Sequence, residues 1–151
     1  MKIKIPLELI RLEDQSWHLL VSVVLNRKNC CLLLDTGASH TVFDLKYCTG
    51  KSSVEHMPSK EVSGVNAQSI ENVSGMLKSL KMGELKLKDM DAVFIDLKDI
   101  NRLYQEHAQK EISGLIGSDF LLKYRALICY DQLKLTLKMP VKQKSRRNKS
   151  D

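Results

Sequence analysis

The chain has 151 residues, 43% of them apolar and 28% charged, with a formal net charge of +6. That length suggests one domain with room for a sizeable core, and the balance excludes a disordered chain. The longest near-apolar stretch, Leu19 to Leu25, is far short of the ~20 residues of a membrane span. The first residues lack the long apolar core of a signal peptide, so a cytoplasmic location and no membrane partner are expected.

In chain order, Ile3 to Ile10 alternates imperfectly and is predicted to be a strand, ended by the turn cluster Glu13-Asp14-Gln15-Ser16. His18 to Leu25 and Cys30 to Leu34 are predicted strands, joined by a hairpin loop at Asn26 to Asn29. Both are nearly continuous apolar runs, which places them deep in the core. Asp35 to Ser39 is a loop, and Thr41 to Phe43 resumes β structure. Lys46 to Lys60, with Gly50, Ser52, Ser53 and Pro58, is expected to be an irregular connection. The small, turn-prone residues Ser63 to Ser69 suit an exposed hairpin tip.

Val73 to Lys81 and Ala92 to Ile95 are predicted strands, with Gly83-Glu84 as a turn between them. The helical spacing of Ile100, Leu103, Tyr104 and His107 predicts a short helix over Lys98 to Lys110. Gly114 to Gly117 is a short apolar strand between glycines, and Ser118 is placed to cap a helical turn through Leu122. Arg125 to Tyr130 and Leu133 to Leu137 are closing strands joined at Asp131-Gln132. No internal repeat is present. The fold class expected is mostly β, a closed sheet with one or two short helices.

Four cysteines, Cys30, Cys31, Cys48 and Cys129, show neither CxxC nor metal-ligand spacing and read as reduced core residues. The four histidines are scattered, so neither a metal nor another cofactor is expected. Charge is uneven. Lys138 to Asp151 holds six basic residues and one acidic, a net +5 of the total +6. Residues 1–137 are expected to form the domain and residues 138–151 a basic, disordered tail. The tail reads as a solubilising end, with contact to nucleic acid or an anionic surface as its alternative.

A single Asp-Thr-Gly tripeptide, Asp35-Thr36-Gly37, follows the apolar run Cys30 to Leu34. An Asp delivered by a hydrophobic strand into a Gly-containing turn is a carboxylate held at a loop tip. The stretch Leu32-Leu33-Leu34-Asp35-Thr36-Gly37-Ala38-Ser39-His40-Thr41-Val42 resembles the active-site strand and loop of retropepsin-like aspartic proteases. Downstream, Gly114-Leu115-Ile116-Gly117-Ser118-Asp119-Phe120-Leu121 is similar to that family's second signature, and Ile128 to Asp131 with Leu133, Leu135 and Leu137 to the closing hairpin of small bacterial members.

The resemblance implies a single-lobe, closed β-barrel that forms a homodimer, so that two Asp-Thr-Gly loops meet at a two-fold axis and cleave a peptide or protein substrate. Hydrolysis without a covalent intermediate needs a base to activate water and an acid to protonate the carbonyl or the leaving nitrogen. Two carboxylates about 3 Å apart share one proton and supply both. By the family pattern Asp35 is catalytic, Thr36 hydrogen-bonds across the axis, and Gly37 brings a backbone N–H close to the carboxylate, which a Cβ would hinder. Ala38, Ser39 and His40 with Gly64, Val65 and Asn66 map onto subsite walls and a mobile cover over the substrate. Leu115, Ile116 and Gly117 pack behind the loop. Ala38 stands where pepsin-type sites have a Ser donor, which implies activity above the strongly acidic range. Ser39 and Ser118 replace an Asp–Arg pair of viral members, which implies a different dimer contact. The alternative function is a non-catalytic dimerisation or peptide-binding module on the same fold.

Overall fold

Alternation sets the first strand. In β1 (Lys2–Arg11) Ile3, Ile5 and Leu7 are buried while Lys2, Lys4 and Pro6 are exposed, the period of a pleated strand with one wet face. The structure, a computed structural model, describes residues 1–57 and 70–140, with residues 51–57 and 70 as backbone only. β2 (Trp17–Leu25) and β3 (Lys28–Leu34) pair antiparallel, from Leu20 opposite Leu33 to Leu25 opposite Lys28. Asn26 and Arg27 alone form the turn, with left-handed φ of 46° and 69°. This is the tight two-residue hairpin that matches strand twist, shorter than the four-residue loop expected. Asn26 holds it in place. Its side-chain amide donates to the Tyr47 carbonyl at 3.0 Å and its Oδ1 accepts from the Ser79 N–H at 3.2 Å.

The chain continues through β4 (Val42–Asp44), a 3₁₀ turn (Leu45–Tyr47), β5 (Thr49–Met57), β6 (Ile70–Met82) and β7 (Leu85–Ile95). Then come α1 (Lys98–Ala108), β8 (Ile112–Ile116), α2 (Ser118–Lys123), β9 (Leu127–Cys129) and β10 (Lys134–Lys138). The sheet order is β5-β6-β7-β4-β8-β3-β2-β1-β10-β9, with a further pairing of β6 to β2. That pairing, Val24 opposite Lys81 and Leu25 opposite Leu80, closes a circuit through β2, β3, β8, β4, β7 and β6. The architecture is the mostly β, closed one expected, with two short helices. Among the described residues no helix is long and apolar enough to cross a membrane.

The nearly continuous apolar runs of β2 and β3 have a clear cause: apart from Ser22, both of their faces pack on apolar cores. Leu19, Val21, Val23 and Leu32 belong to the larger core inside the circuit. Leu20 and Leu33 face a smaller core on the other side, with Ile95, Leu97, Ile112 and α1's Tyr104. Each fully buried side chain of this size contributes roughly 1.5–3 kcal/mol. Adjacent Cys30 and Cys31 divide the same way, one packing on each core. All four cysteines are free and half-buried.

Two segments differ from expectation. Lys46 to Lys60 is not an irregular connection as far as Met57; it turns once and enters β5, paired antiparallel with β6. The strand escapes detection because it is an edge of the sheet and its register shifts between Thr49 and Ser53, next to Gly50 at φ 59°. Likewise β7 begins at Leu85 rather than Ala92. Its first half, rich in Lys and Asp, is a strand because β6 pairs with it residue for residue from Met82–Leu85 onward.

Candidate active site

The apolar run of β3 ends at Leu34, beside the parallel strand β8, with Leu33 opposite Leu115 and Leu34 opposite Ile116. The ladder persists one step further, since the Asp35 N–H donates to the Ile116 carbonyl at 3.0 Å. The chain then turns. Ala38 N–H donates to the Asp35 carbonyl at 3.1 Å, and Gly37 N–H donates to Asp35 Oδ1 at 3.0 Å. This side-chain-to-backbone turn is the local preference of Asp, and it aims the carboxylate without help from any other residue type. A Cβ built on Gly37 would meet only Asp35 Oδ1, at 3.4 Å. That is an ordinary contact, so within one chain a side chain at 37 does not hinder the approach, contrary to the expectation above.

Support comes from behind. Ser118 N–H donates to the Ala38 carbonyl at 2.8 Å. Gly117 N–H donates to Thr41 Oγ1 at 3.0 Å, and that hydroxyl donates in turn to Asp119 Oδ1 at 2.7 Å. The Asp119 carboxylate also accepts the Thr41 N–H, at 3.0 and 3.1 Å from its two oxygens. Gly117 itself touches the loop. A Cβ there would lie 2.7 Å from the His40 carbonyl carbon and 2.8 Å from the Ala38 oxygen. This also explains why Ser118 is not the helix cap. It is the first residue of α2, the cap position is Gly117 with no side chain to offer, and Asp119 serves the Phe120 N–H at 2.7 Å instead.

Burial works to raise the Asp119 pKa. The Thr41 hydroxyl and N–H, the Phe120 N–H and the nearby His40 outweigh it, and the carboxyl titrates below its ordinary value. Its contribution to stability is therefore full above the unfolded carboxylate pKa of about 3.9 and disappears as pH falls through the lower folded value. Asp119→Asn is expected to cost about 1 kcal/mol at pH 7, given the exposure of the group. The gap to wild type should narrow below about pH 4. Urea midpoints at pH 3 and pH 7 check this; a gap of equal size at both would contradict it.

Asp35 opens into a cavity of about 590 Å³ whose walls include Leu33, Val42, Ile95, Leu115 and, from α1, Ile100, Leu103 and Tyr104. That is within the range of small-molecule and side-chain pockets. Gly37, Ala38, Ser39 and His40 line it together with Glu13, Ser16 and His18. The Tyr104 hydroxyl lies 3.2 Å from His18 Nδ1, and His18 Nε2 lies 2.9 Å from Ser16 Oγ. Burial first, then the charges of Asp35 and Cys31, push the Tyr104 hydroxyl up to about 12, so it remains a neutral hydrogen-bonding group. α1 is fixed over the cavity by Asn101, whose amide donates to the Ile112 carbonyl at 3.0 Å and whose oxygen accepts the Ile112 N–H at 2.6 Å.

Of the residues singled out from sequence, the structure brings together Asp35, Gly37, Ala38, Ser39 and His40 at the cavity, with Leu115 in its wall and Ile116 and Gly117 behind the loop. Thr36 is exposed beside them and, among the described residues, its hydroxyl has no hydrogen-bond partner. Gly64, Val65 and Asn66 lie outside the described residues. Sequence reasoning missed His18, Ser16, Glu13 and Thr41 as site residues, and took Tyr104 only as one helix-face residue. Their signal is weak, because they come from β1–β2, the segment after the loop and α1, and meet only in the fold.

A family model described as aspartyl protease matches residues 21–120. Among solved structures, a retropepsin-like aspartic protease from Rickettsia conorii is similar, with 13% identity, a TM-score of 0.49 and coverage of 92% of this chain and 91% of that one. The retroviral protease-like domain of Ddi1 from Leishmania major is similar with 12% identity and a TM-score of 0.46, over 78% of this chain and 86% of that one. No curated protein matches the chain in sequence.

Proposed function

The chain belongs to the aspartyl protease family, and from that premise we propose that two copies assemble into one aspartic endopeptidase, each supplying Asp35. The observation that carries this is the single Asp-Thr-Gly turn, with its carboxylate held by its own Gly37 N–H and facing a cavity. One carboxylate is half of an acid–base pair. The ionised Asp35 takes a proton from water as the water oxygen attacks the peptide carbonyl carbon. The protonated Asp35 of the partner subunit gives its proton to the carbonyl oxygen. Collapse of the tetrahedral species returns a proton to the departing nitrogen. The exposed, unbonded hydroxyl of Thr36 suits a bond to the second copy. Ala38 brings no hydroxyl to the carboxylate, which favours activity above the strongly acidic range.

In this reading a substrate side chain enters the cavity past Ser39 and His40, and Gly64 to Asn66 belong to the segment that covers the bound peptide. Cleavage of a mixed peptide library, followed over a range of protein concentrations, tests the proposal. Specific activity should rise with concentration and then saturate as the dimer fills. A strictly monomeric protein, or specific activity independent of concentration down to a monomeric regime, would sink it.

A further inference from the structure

The outer face of the sheet formed by the first half of β1 with β10 and β9 carries lysines and no acid. Register places Lys2 opposite Lys138, Pro6 opposite Lys134 and Lys4 opposite Thr136. Directly opposed like charges weaken a strand pair, so this arrangement does not serve the fold. All four lysines are exposed. Among the described residues none of them has an ion-pair partner. The next acid along β1, Glu8, is already engaged by Lys110 at 2.9 Å. A large apolar side chain accompanies the lysines: Leu127, opposite Thr136, is 64% exposed.

We propose that this face is a peripheral docking surface for an anionic lipid bilayer. Four point charges on flexible apolar stems, with Leu127 beside them, match a surface of acidic headgroups over hydrocarbon. A protein partner fits less well, since Lys is depleted from such interfaces and the three strand segments themselves hold no Arg or aromatic anchor. Nucleic acid also fits less well. The strand segments of the face hold no aromatic on which a base could stack, and a three-stranded sheet face offers no helix or ribbon to enter a groove. None of the four lysines nor Leu127 lines the cavity at Asp35. The expectation of no membrane partner rested on the lack of a spanning segment, and a peripheral contact needs none.

Co-sedimentation of the full chain with vesicles of phosphatidylserine and phosphatidylcholine, against vesicles of phosphatidylcholine alone, tests this. Wild type should bind the anionic vesicles and be released by salt. The variant Lys2→Gln, Lys4→Gln, Lys134→Gln, Lys138→Gln should bind them on the order of 1,000-fold more weakly, with a thermal midpoint at or above that of wild type, since the Lys2–Lys138 repulsion is removed. Leu127→Gln should weaken vesicle binding several-fold and leave any binding to single-stranded RNA as it was. No binding by wild type at low salt would overturn the proposal. So would full binding by the four-lysine variant, which would move the contact to the basic residues after Pro140, or a preference for RNA over vesicles.

Discussion

Asp35→Asn is expected to lower kcat by roughly 10²–10⁴-fold, the range for losing a general acid–base group, while leaving the fold intact. Asn keeps a side-chain oxygen where Asp35 Oδ1 accepts the Gly37 N–H, so the turn persists. What it loses is the ability to take and return a proton. The single-Asp arrangement adds a sharper consequence. If each dimer needs two Asp35 carboxylates, mixing wild type with an equal amount of the variant leaves about a quarter of the dimers fully wild type after exchange. Activity per wild-type chain should therefore fall as variant is added. Activity that simply tracks the amount of wild-type chain would show that one copy suffices and would remove the paired mechanism.

The second large effect is expected at a residue that touches no substrate. In Gly117→Ala the new methyl would sit 2.7 to 2.9 Å from the backbone of Ala38 and His40, closer than real Cβ contacts allow. Backbone must move, and overpacking of this kind costs about 1–3 kcal/mol. The displaced backbone is the loop that holds Asp35, through the bonds of Ser118 to Ala38 and Gly117 to Thr41. Hydrolysis should fall on the order of 100-fold for an ångström of displacement. Gly37→Ala is the control, because its Cβ has room within the chain. Its thermal midpoint should stay near wild type, and any loss of activity there would arise where a second copy or substrate approaches. Equal thermal midpoints for the two variants would contradict the steric account.

Legibility along the chain follows a physical line. β1 to β3 could be read because their burial is periodic or nearly complete: Ile3, Ile5 and Leu7 alternate, and Leu19 to Val24, interrupted only by the exposed Ser22, with Cys30 to Leu34 lie between two cores. α1 could be read from the spacing of Ile100, Leu103 and Tyr104. β5 and the first half of β7 could not, because a polar strand is defined by its partner, and that partner, β6, lies across residues 58–69 for β5 and across Gly83 for β7.

The sequence by itself determined the turn at Asp35, since an Asp followed two residues later by a Gly N–H closes on its own backbone. It also determined the mostly β class and the apolar strands that flank the turn. Only the tertiary structure decided what stands around it. Closure between β2 and β6, the Thr41–Asp119 lock spanning 78 positions, and the meeting of His18 with Tyr104 across 86 positions depend on contacts whose cost in chain entropy is met cooperatively by the whole core. Local preference carries no record of such pairs, so the carboxylate and the loop beside it, Ala38 to His40, were visible in the sequence, and the wall supplied by His18 and α1 was not.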